Sequence, residues 1–281
     1  MRATTVNETG ADVQVIARSA GVQVIARSAG VLRALAGRPR GMSLTEIADA
    51  VALPRSTAHR ILGALVAEEL VMAADCDGQY RLGPEILRLA SSDSADLRGH
   101  IRPFLEALSD ASRETVCLSV LAGDQTYFID QVVWAANRLQ AVVRVGERLP
   151  AWGNAAGKAL LSNLDDDQVR RLLPRELPAV TAHAITDVDV LLGQLAEIRR
   201  TGIAYAAEEQ TEGICALAVP VGRGVGWPAA IGIPMPAQRY YREQDGFFRE
   251  LLLDAATEID RALAATHPAQ AGVPSPVGAY S

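Results

Sequence analysis

Cysteine and lysine are both scarce in this 281-residue chain. The three cysteines, Cys76, Cys117 and Cys215, stand far apart and are odd in number. They do not make the disulfide framework of a small secreted domain, and they suit a reducing compartment. No Cys-x-x-Cys or Cys/His cluster occurs, so neither a metal site nor a cofactor is expected. No apolar run approaches the roughly 18 residues needed to cross a membrane. The N-terminus lacks a positive cluster followed by an apolar run and a small-residue cleavage site. No secretory leader is therefore expected, and the expected location is cytoplasmic. Lys158 is the single lysine in a chain rich in Arg and Ala, a balance that points to GC-rich codon usage.

Against these absences stand an apolar fraction of 49%, ordinary for a globular protein, and enough length for two modest domains. Charge is unevenly placed. Residues 1–60 hold eight arginines (2, 18, 27, 33, 38, 40, 55 and 60) against Glu8, Asp12, Glu46 and Asp49, a net of +4. The whole chain is −6, so the remainder carries −10. A positive segment on an acidic protein suggests an anion-binding module attached to something else.

The polar, patternless residues 1–12 are expected to be disordered. From Ser28 to Leu35 the residues Val31, Leu32 and Leu35 have helical spacing, stopped by Gly37 and Pro39. Ser43 followed by Glu46 is a capping box, and Leu44, Ile47, Ala48 and Val51 give the helix it opens one apolar stripe. Leu53-Pro54 ends that helix, and a second starts near Pro54 with Ala58, Ile61, Leu62, Leu65 and Val66 on one face. Its other face carries Arg55, Ser56, His59, Arg60 and Gly63. Val71 and Tyr80–Leu82 flank Asp77-Gly78, a pair suited to a tight hairpin turn. Three helices and a hairpin in about 60 residues is the order of a winged helix-turn-helix.

Helical spacing resumes from Pro84 to Arg113, interrupted by "SSDSADLRGH", which reads as a joint between a connecting helix and a second domain. That domain alternates strands and helices. "TVCLSVLAGDQTYFIDQVV" is a hairpin turning at Gly123-Asp124, and "RLQAVVRV" reads as a further strand. Asn154 caps a helix in "NAAGKALLSNL", and Gly202 closes "DVDVLLGQLAEIRRTG". "IAYAAEE", "ICALAVPV" and "AAIGIPM" are apolar strands, and residues 243–265 form an amphipathic helix. The fold class is α/β (α+β). The expected divisions are an arm at 1–21, a winged helix-turn-helix at 22–83, a linker helix at 84–98, an effector domain at 99–265 and a loose tail at 266–281.

Three stretches could carry chemistry. The first is the polar face of the second helix, where Arg can reach guanine bidentately and Ser or Thr suits phosphates or bases. Arg55, Ser56, Thr57, His59 and Arg60 are the candidates there. Arg81 on the hairpin, with Ser43 and Thr45 at the preceding helix start, completes the DNA-facing set. The second is "GNAAGKA", which is not a phosphate loop: three residues, not four, separate its glycines, and Ala159 follows the lysine. Its small residues allow either close approach of a ligand to a helix start or tight helix packing. The third, "EEQTEGICALAVPV", offers Glu208, Glu209 and Cys215. They could do acid–base or nucleophilic work, or could be a solvated turn and an inert buried thiol.

Taken together, "VIARSAGVLRALA", "SLTEIADAVALPRSTAHRILGAL", "YRLGPEILRLA", "NAAGKALLS" and "EEQTEGICALAVPV" resemble the IclR family of bacterial transcription regulators, from about Gln23 to Ala264. The resemblance implies a winged helix-turn-helix, a linker helix and a C-terminal GAF-like effector domain. It also implies dimers, often tetramers, on roughly palindromic double-stranded DNA operators, with a small molecule changing DNA affinity. A repressor is expected rather than an activator. The resemblance places the recognition helix at Pro54 to Glu68. It places Ala155, Ala156 and Cys215 in the effector pocket. The chain departs from members that bind small keto acids: Ala206 replaces an Asp, "GICA" is one residue short, and Gly232 and Pro234 stand where serines would supply hydroxyls. A larger, more apolar or aromatic effector then fits better, with a carboxylate at the helix start near Asn154 and with Trp152, Tyr127 and Tyr205 in the lining. The other reading is a small-molecule enzyme using Cys215 or Glu208/Glu209, with the N-terminal module serving association.

One feature lies outside this pattern. Val13 to Gly21 recurs unchanged as Val22 to Gly30. The second copy joins directly to "VLRALA" and is the one in register. On a helix turning ~100° per residue, nine residues come to about half a turn past whole turns, so the first copy cannot lengthen the same stripe. It is a passenger duplication or, alternatively, an arm whose Arg18 and Arg27 touch DNA.

Overall fold

The computed structural model describes residues 23–73, 78–92, 94–223, 228–240 and 242–266. The arm at 1–21 with the first repeat copy, the wing-turn residues Cys76 and Asp77, and the tail from 267 onward lie outside the described residues. The chain forms two compact units that divide between Ala95 and Asp96.

The first unit begins with α1 (23–35), then β1 (Met42–Ser43), α2 (Leu44–Ala50), α3 (Arg55–Ala67), β2 (Val71–Ala73), β3 (Gln79–Leu82) and α4 (Pro84–Ser92). α1 starts earlier than the expected Ser28 and takes in the second repeat copy from Gln23. Val24 and Ile25 are exposed there, whereas Val31 and Leu35 are buried. The sequence of the copy propagates a helix, but only its continuation reaches the core. That core joins Val31 and Leu35 to Met42, Ile47, Ile61, Leu62, Leu65 and Val71. The box at α2 is formed: the Glu46 backbone N–H donates to Ser43 Oγ (3.3 Å), and the Ser43 N–H donates to Glu46 Oε2 (2.7 Å). The strands make an antiparallel sheet in the order β1-β3-β2, with Val71 opposite Leu82 and Ala73 opposite Tyr80. Gly83 closes this wing against the end of α3. Its N–H donates to Leu70 O at 2.9 Å, and a Cβ there would lie 1.9 Å from Glu69 O. No other residue fits such an approach.

The second unit holds α5 (Ser94–Ser112), β4 (Val116–Ala122), β5 (Gln125–Val132), β6 (Arg148–Pro150), α6 (Ala155–Leu161), α7 (Asp166–Leu172), α8 (Val188–Thr201), β7 (Ala204–Ala207), β8 (Ile214–Val221), β9 (Ala229–Pro236) and α9 (Arg242–Thr266). The expected joint shrinks: α4 ends at Ser92 and α5 begins at Ser94. Six antiparallel strands run in the order β6-β5-β4-β9-β8-β7. Each face of the sheet has its own core. Ile101 and Leu105 of α5, with Leu252 and Ile259 of α9, pack on Leu118, Leu217, Ile231 and Ile233. Ala159 and Leu160 of α6 and Leu191 and Leu195 of α8 pack on Cys117, Phe128, Ala204 and Ala218. β9 is buried along its whole length because helices cover both its faces.

The strand expected at "RLQAVVRV" is absent. Residues 138–145 form a loop, and the edge of β5 pairs instead with β6, Thr126 opposite Leu149. The alternation of Leu139, Ala141, Val143 and Val145 is real, but a strand also needs a free edge to pair with.

Candidate DNA-binding face and effector cavity

α3 buries Ala58, Ile61, Leu62 and Leu65 and leaves Arg55, Ser56, His59 and Arg60 exposed, with Thr57 half-buried. No carboxylate occurs anywhere in this helix, on a chain of net charge −6. Pro54 at its start makes no side-chain cap, so the first-turn amides add their partial positive charge to Arg55. Arg81 on β3 and Thr45 on α2 are also exposed. The Ser43 hydroxyl is engaged locally, accepting from Glu46 N and donating to Glu46 Oε2 at 2.8 Å.

In the second unit a cavity of about 340 Å³ opens on the α6 face of the sheet. Its origin is visible in the strands. Successive residues of a strand point to opposite faces. On β7, β8 and β9 the residues Ala204, Ala206, Ala216, Ala218, Ala230 and Gly232 fall on one face. Tyr205, Leu217, Val219, Ile231, Ile233 and Met235 fall on the other, packed with α5 and α9. Small residues on one side leave room that α6 does not fill. The mouth is bounded by the 138–147 loop, which contributes Gln140, Ala141, Val143 and Glu147. That loop is fastened by Arg239, which donates to Leu139 O (2.8 Å) while gripping Glu114 (2.5 and 2.7 Å). Gly146 N–H donates to Phe128 O at 2.7 Å.

Of the effector candidates, Asn154, Ala155, Ala156, Ala206, Gly232 and Pro234 line the cavity. Trp152, Tyr127, Tyr205 and Cys215 do not. Trp152 is core, buried in the short 3-10 turn before α6. Tyr205 and Cys215 sit on odd positions of β7 and β8, the face of α5 and α9. Tyr127 neighbours the cavity-lining Phe128 and so points the other way, under the Arg148 guanidinium at 5.7 Å. The cysteine on the wall is Cys117, whose thiol donates to Gly232 O (3.5 Å) and is pushed up to about 12 by burial. Burial and the neighbouring Glu208 carboxylate also raise the Cys215 thiol. A raised pKa disfavours the thiolate, the form of cysteine that attacks.

At the helix start one amide is engaged by the cap. Asn154 Oδ1 accepts from Gly157 N (2.8 Å) and its amide donates to Pro150 O (2.8 Å). A Cβ on Gly157 would lie 2.2 Å from Ala151 O, so that glycine serves packing. α6 is seven residues long, and its Asn154 cap engages the Gly157 amide.

Glu208 and Glu209 take different roles. Glu208 adopts φ +58°, a left-handed conformation that costs a non-glycine residue roughly 1–2 kcal/mol. It is held there by the Glu208 carboxylate accepting from Gly213 N (2.7 Å) and by the Thr181 hydroxyl on Glu208 O (2.8 Å) and Glu209 O (3.0 Å). The turn directs Glu209 inward. Both of its oxygens accept from Lys158 Nζ at 2.8 Å, and the third ammonium proton goes to Gln194 Oε1 at 2.9 Å. The only lysine of the chain is thus fully buried, on the buried helix α6. Burial lowers its pKa and Glu209 opposes the shift. The acidic stretch is no solvated turn at Glu209, which is buried and lines the cavity. Sequence reading also passed over Phe128, Glu147 and Cys117 in the wall.

A helix-turn-helix with an acid-free exposed helix, joined to an α/β unit holding an organic-sized cavity, defines a ligand-responsive DNA-binding regulator. The comparisons agree. Residues 24–73 match the IclR helix-turn-helix domain, and residues 89–261 match the bacterial transcriptional regulator IclR C-terminal domain. The chain is similar to the HTH-type transcriptional regulator Rv1719 of Mycobacterium tuberculosis, 48% identical over 86% of this chain and 89% of that one. It is similar to the HTH-type transcriptional regulator TtgV of Pseudomonas putida, 37% identical over 89% and 92%. Among solved structures, an IclR homologue from Microbacterium hydrocarbonoxydans complexed with 4-hydroxybenzoate superposes with TM-score 0.74 at 28% identity, over 86% of this chain and 99% of that one. The chain belongs to the IclR family of transcriptional regulators, and these relatives and domains are regulators, not enzymes. Among the described residues no helix is long and apolar enough to cross a membrane.

Proposed function

We propose that the protein is a cytoplasmic, effector-responsive repressor that binds a roughly palindromic operator as a homodimer, by inserting α3 into the major groove. The observation that carries this reading is the face of α3, where Arg55, Ser56, His59 and Arg60 are exposed with no carboxylate among them. Arg81 reaches the backbone or minor groove from the wing. A two-fold dimer presents two such helices, which is why the operator is read as a palindrome. Repression needs only that the protein occupy its site and that a ligand weaken the hold. Activation needs a further contact with polymerase. The effector is a small organic molecule in the cavity on the α6 face.

The test is binding to DNA upstream of its own gene against unrelated DNA of equal length, at two salt concentrations. A specific excess of roughly a thousandfold or more at physiological salt is expected, with a symmetric footprint. Binding that is equal on both DNAs and lost with salt would reduce the first unit to a positive patch.

A further inference from the structure

The chemical class of the effector follows from the polar groups on the cavity wall, taking the cavity as the effector site proposed above. Among the described residues, the polar residues that line it are the acidic Glu147 and Glu209, the amides Gln140, Asn154 and Gln210, and Thr211. No ammonium, guanidinium or imidazole lines it among the described residues. Lys158 is close behind Glu209 but has all three protons committed, two to Glu209 and one to Gln194. A carboxylate has about four acceptor sites, and Lys158 uses two of those on Glu209. The pair therefore presents acceptor capacity toward the cavity, not positive charge. The rest of the wall is apolar: Phe128, Ala155, Ala206, Ala216 and Gly232 among others. A ligand anion would give up water here and meet two carboxylates with no cation to pair with, which is costly. A hydroxyl would instead donate to an oxygen that Lys158 holds in place. The volume sets the size: an apolar cavity of roughly 150 Å³ holds benzene, so about 340 Å³ admits one or two rings.

We infer that the effector is a neutral, largely apolar ring compound bearing a hydroxyl, which donates its proton to Glu209, and that Glu209 with Lys158 is the specificity-determining pair that excludes carboxylate ligands. The likeness to a relative complexed with 4-hydroxybenzoate makes the exclusion a sharp claim, since that compound carries both groups.

The test is calorimetric titration of the full-length protein with 4-methylphenol, toluene, benzoate and 4-hydroxybenzoate, repeated on Ala156→Trp. 4-Methylphenol is expected to bind, toluene roughly tenfold or more weakly for want of the hydrogen bond. Benzoate and 4-hydroxybenzoate are expected to bind roughly a hundredfold more weakly than 4-methylphenol, from like charge in a dry site. Glu209→Gln should narrow the gap between 4-methylphenol and toluene, its fold checked by melting. Glu147→Gln, at a half-buried loop position, should improve benzoate and keep the fold even where the first variant does not. Benzoate or 4-hydroxybenzoate binding as tightly as 4-methylphenol overturns the class and leaves the cavity as the site. Failure of 4-methylphenol to bind overturns the class as well. Binding that Ala156→Trp leaves unchanged removes the cavity itself, and with it the reading beneath.

Discussion

The exposed face of α3 and the wall of the cavity solve opposite electrostatic problems. On α3 the arginines stand in water, unpaired with any acid of their own helix, ready for a polyanion. In the second unit the one lysine is locked away behind a carboxylate, and among the described residues no cationic residue lines the cavity. A positive group in water costs little and stays available for phosphate. A positive group in the interior must be paired, and the pairing uses it up. The same residue class, a cation, is thus exposed on α3 in one unit and part of the interior in the other.

The largest effect expected from breaking this contrast is in the interior. Lys158→Met leaves Glu209 charged and unpaired and should cost about 3–5 kcal/mol in urea unfolding, while Lys158→Met with Glu209→Leu should recover most of it. A double variant as unstable as the single one would mean the pair is more than mutually compensating. The next is at the surface. Arg60→Ala should weaken operator binding roughly ten- to hundredfold in a gel-shift titration, with melting temperature and effector binding unchanged. Loss of folding instead would make Arg60 structural. Smaller is the cap that starts α2: Ser43→Ala should cost ~1 kcal/mol of stability. Hydrogen bonds from the Ser43 backbone and hydroxyl hold Glu46 below its ordinary pKa. The part of the cap that rests on the Glu46 carboxylate is therefore present above that ordinary value and lost as pH falls through the depressed one. An acid titration of Ser43→Ala should lack that component. Smallest is deletion of Val13–Gly21, which should leave melting and operator affinity near wild type. A tenfold loss of affinity would show the arm touching DNA.

The two units also differed in how far they could be read in advance. The helix-turn-helix is legible because its signals are local: Ser43 and Glu46 three apart, Pro54 at a helix start, and an apolar stripe from Ala58 to Val66. The cavity was legible in part. Ala206, Gly232 and Pro234 follow from positions where polar side chains are replaced, but Tyr127, Trp152 and Tyr205 rest on their ring chemistry and Cys215 on the family resemblance, and neither ground says which way a side chain points. Counting alternate residues from Ala206 excludes Tyr205, and counting from Ala216 excludes Cys215. The small-against-large alternation of "ICALAVPV" and "AAIGIPM" was the signal for a hollow face. Residues 138–145 alternate like a strand, yet nothing within them says that β6 takes the edge.

By itself the sequence determined the order of elements, the capped and glycine-closed helix ends, the positive excess of residues 1–60 and the family, because each rests on neighbours within a few residues or on a pattern of motifs in order. Only the tertiary structure decided which cysteine faces the cavity, that Lys158 meets Glu209 across 51 positions of chain, and that two glutamates side by side divide into a turn clamp and a cavity wall. Those outcomes depend on which strand face is covered and on where water is excluded, and a charge's role follows from its burial and its partner rather than from its identity.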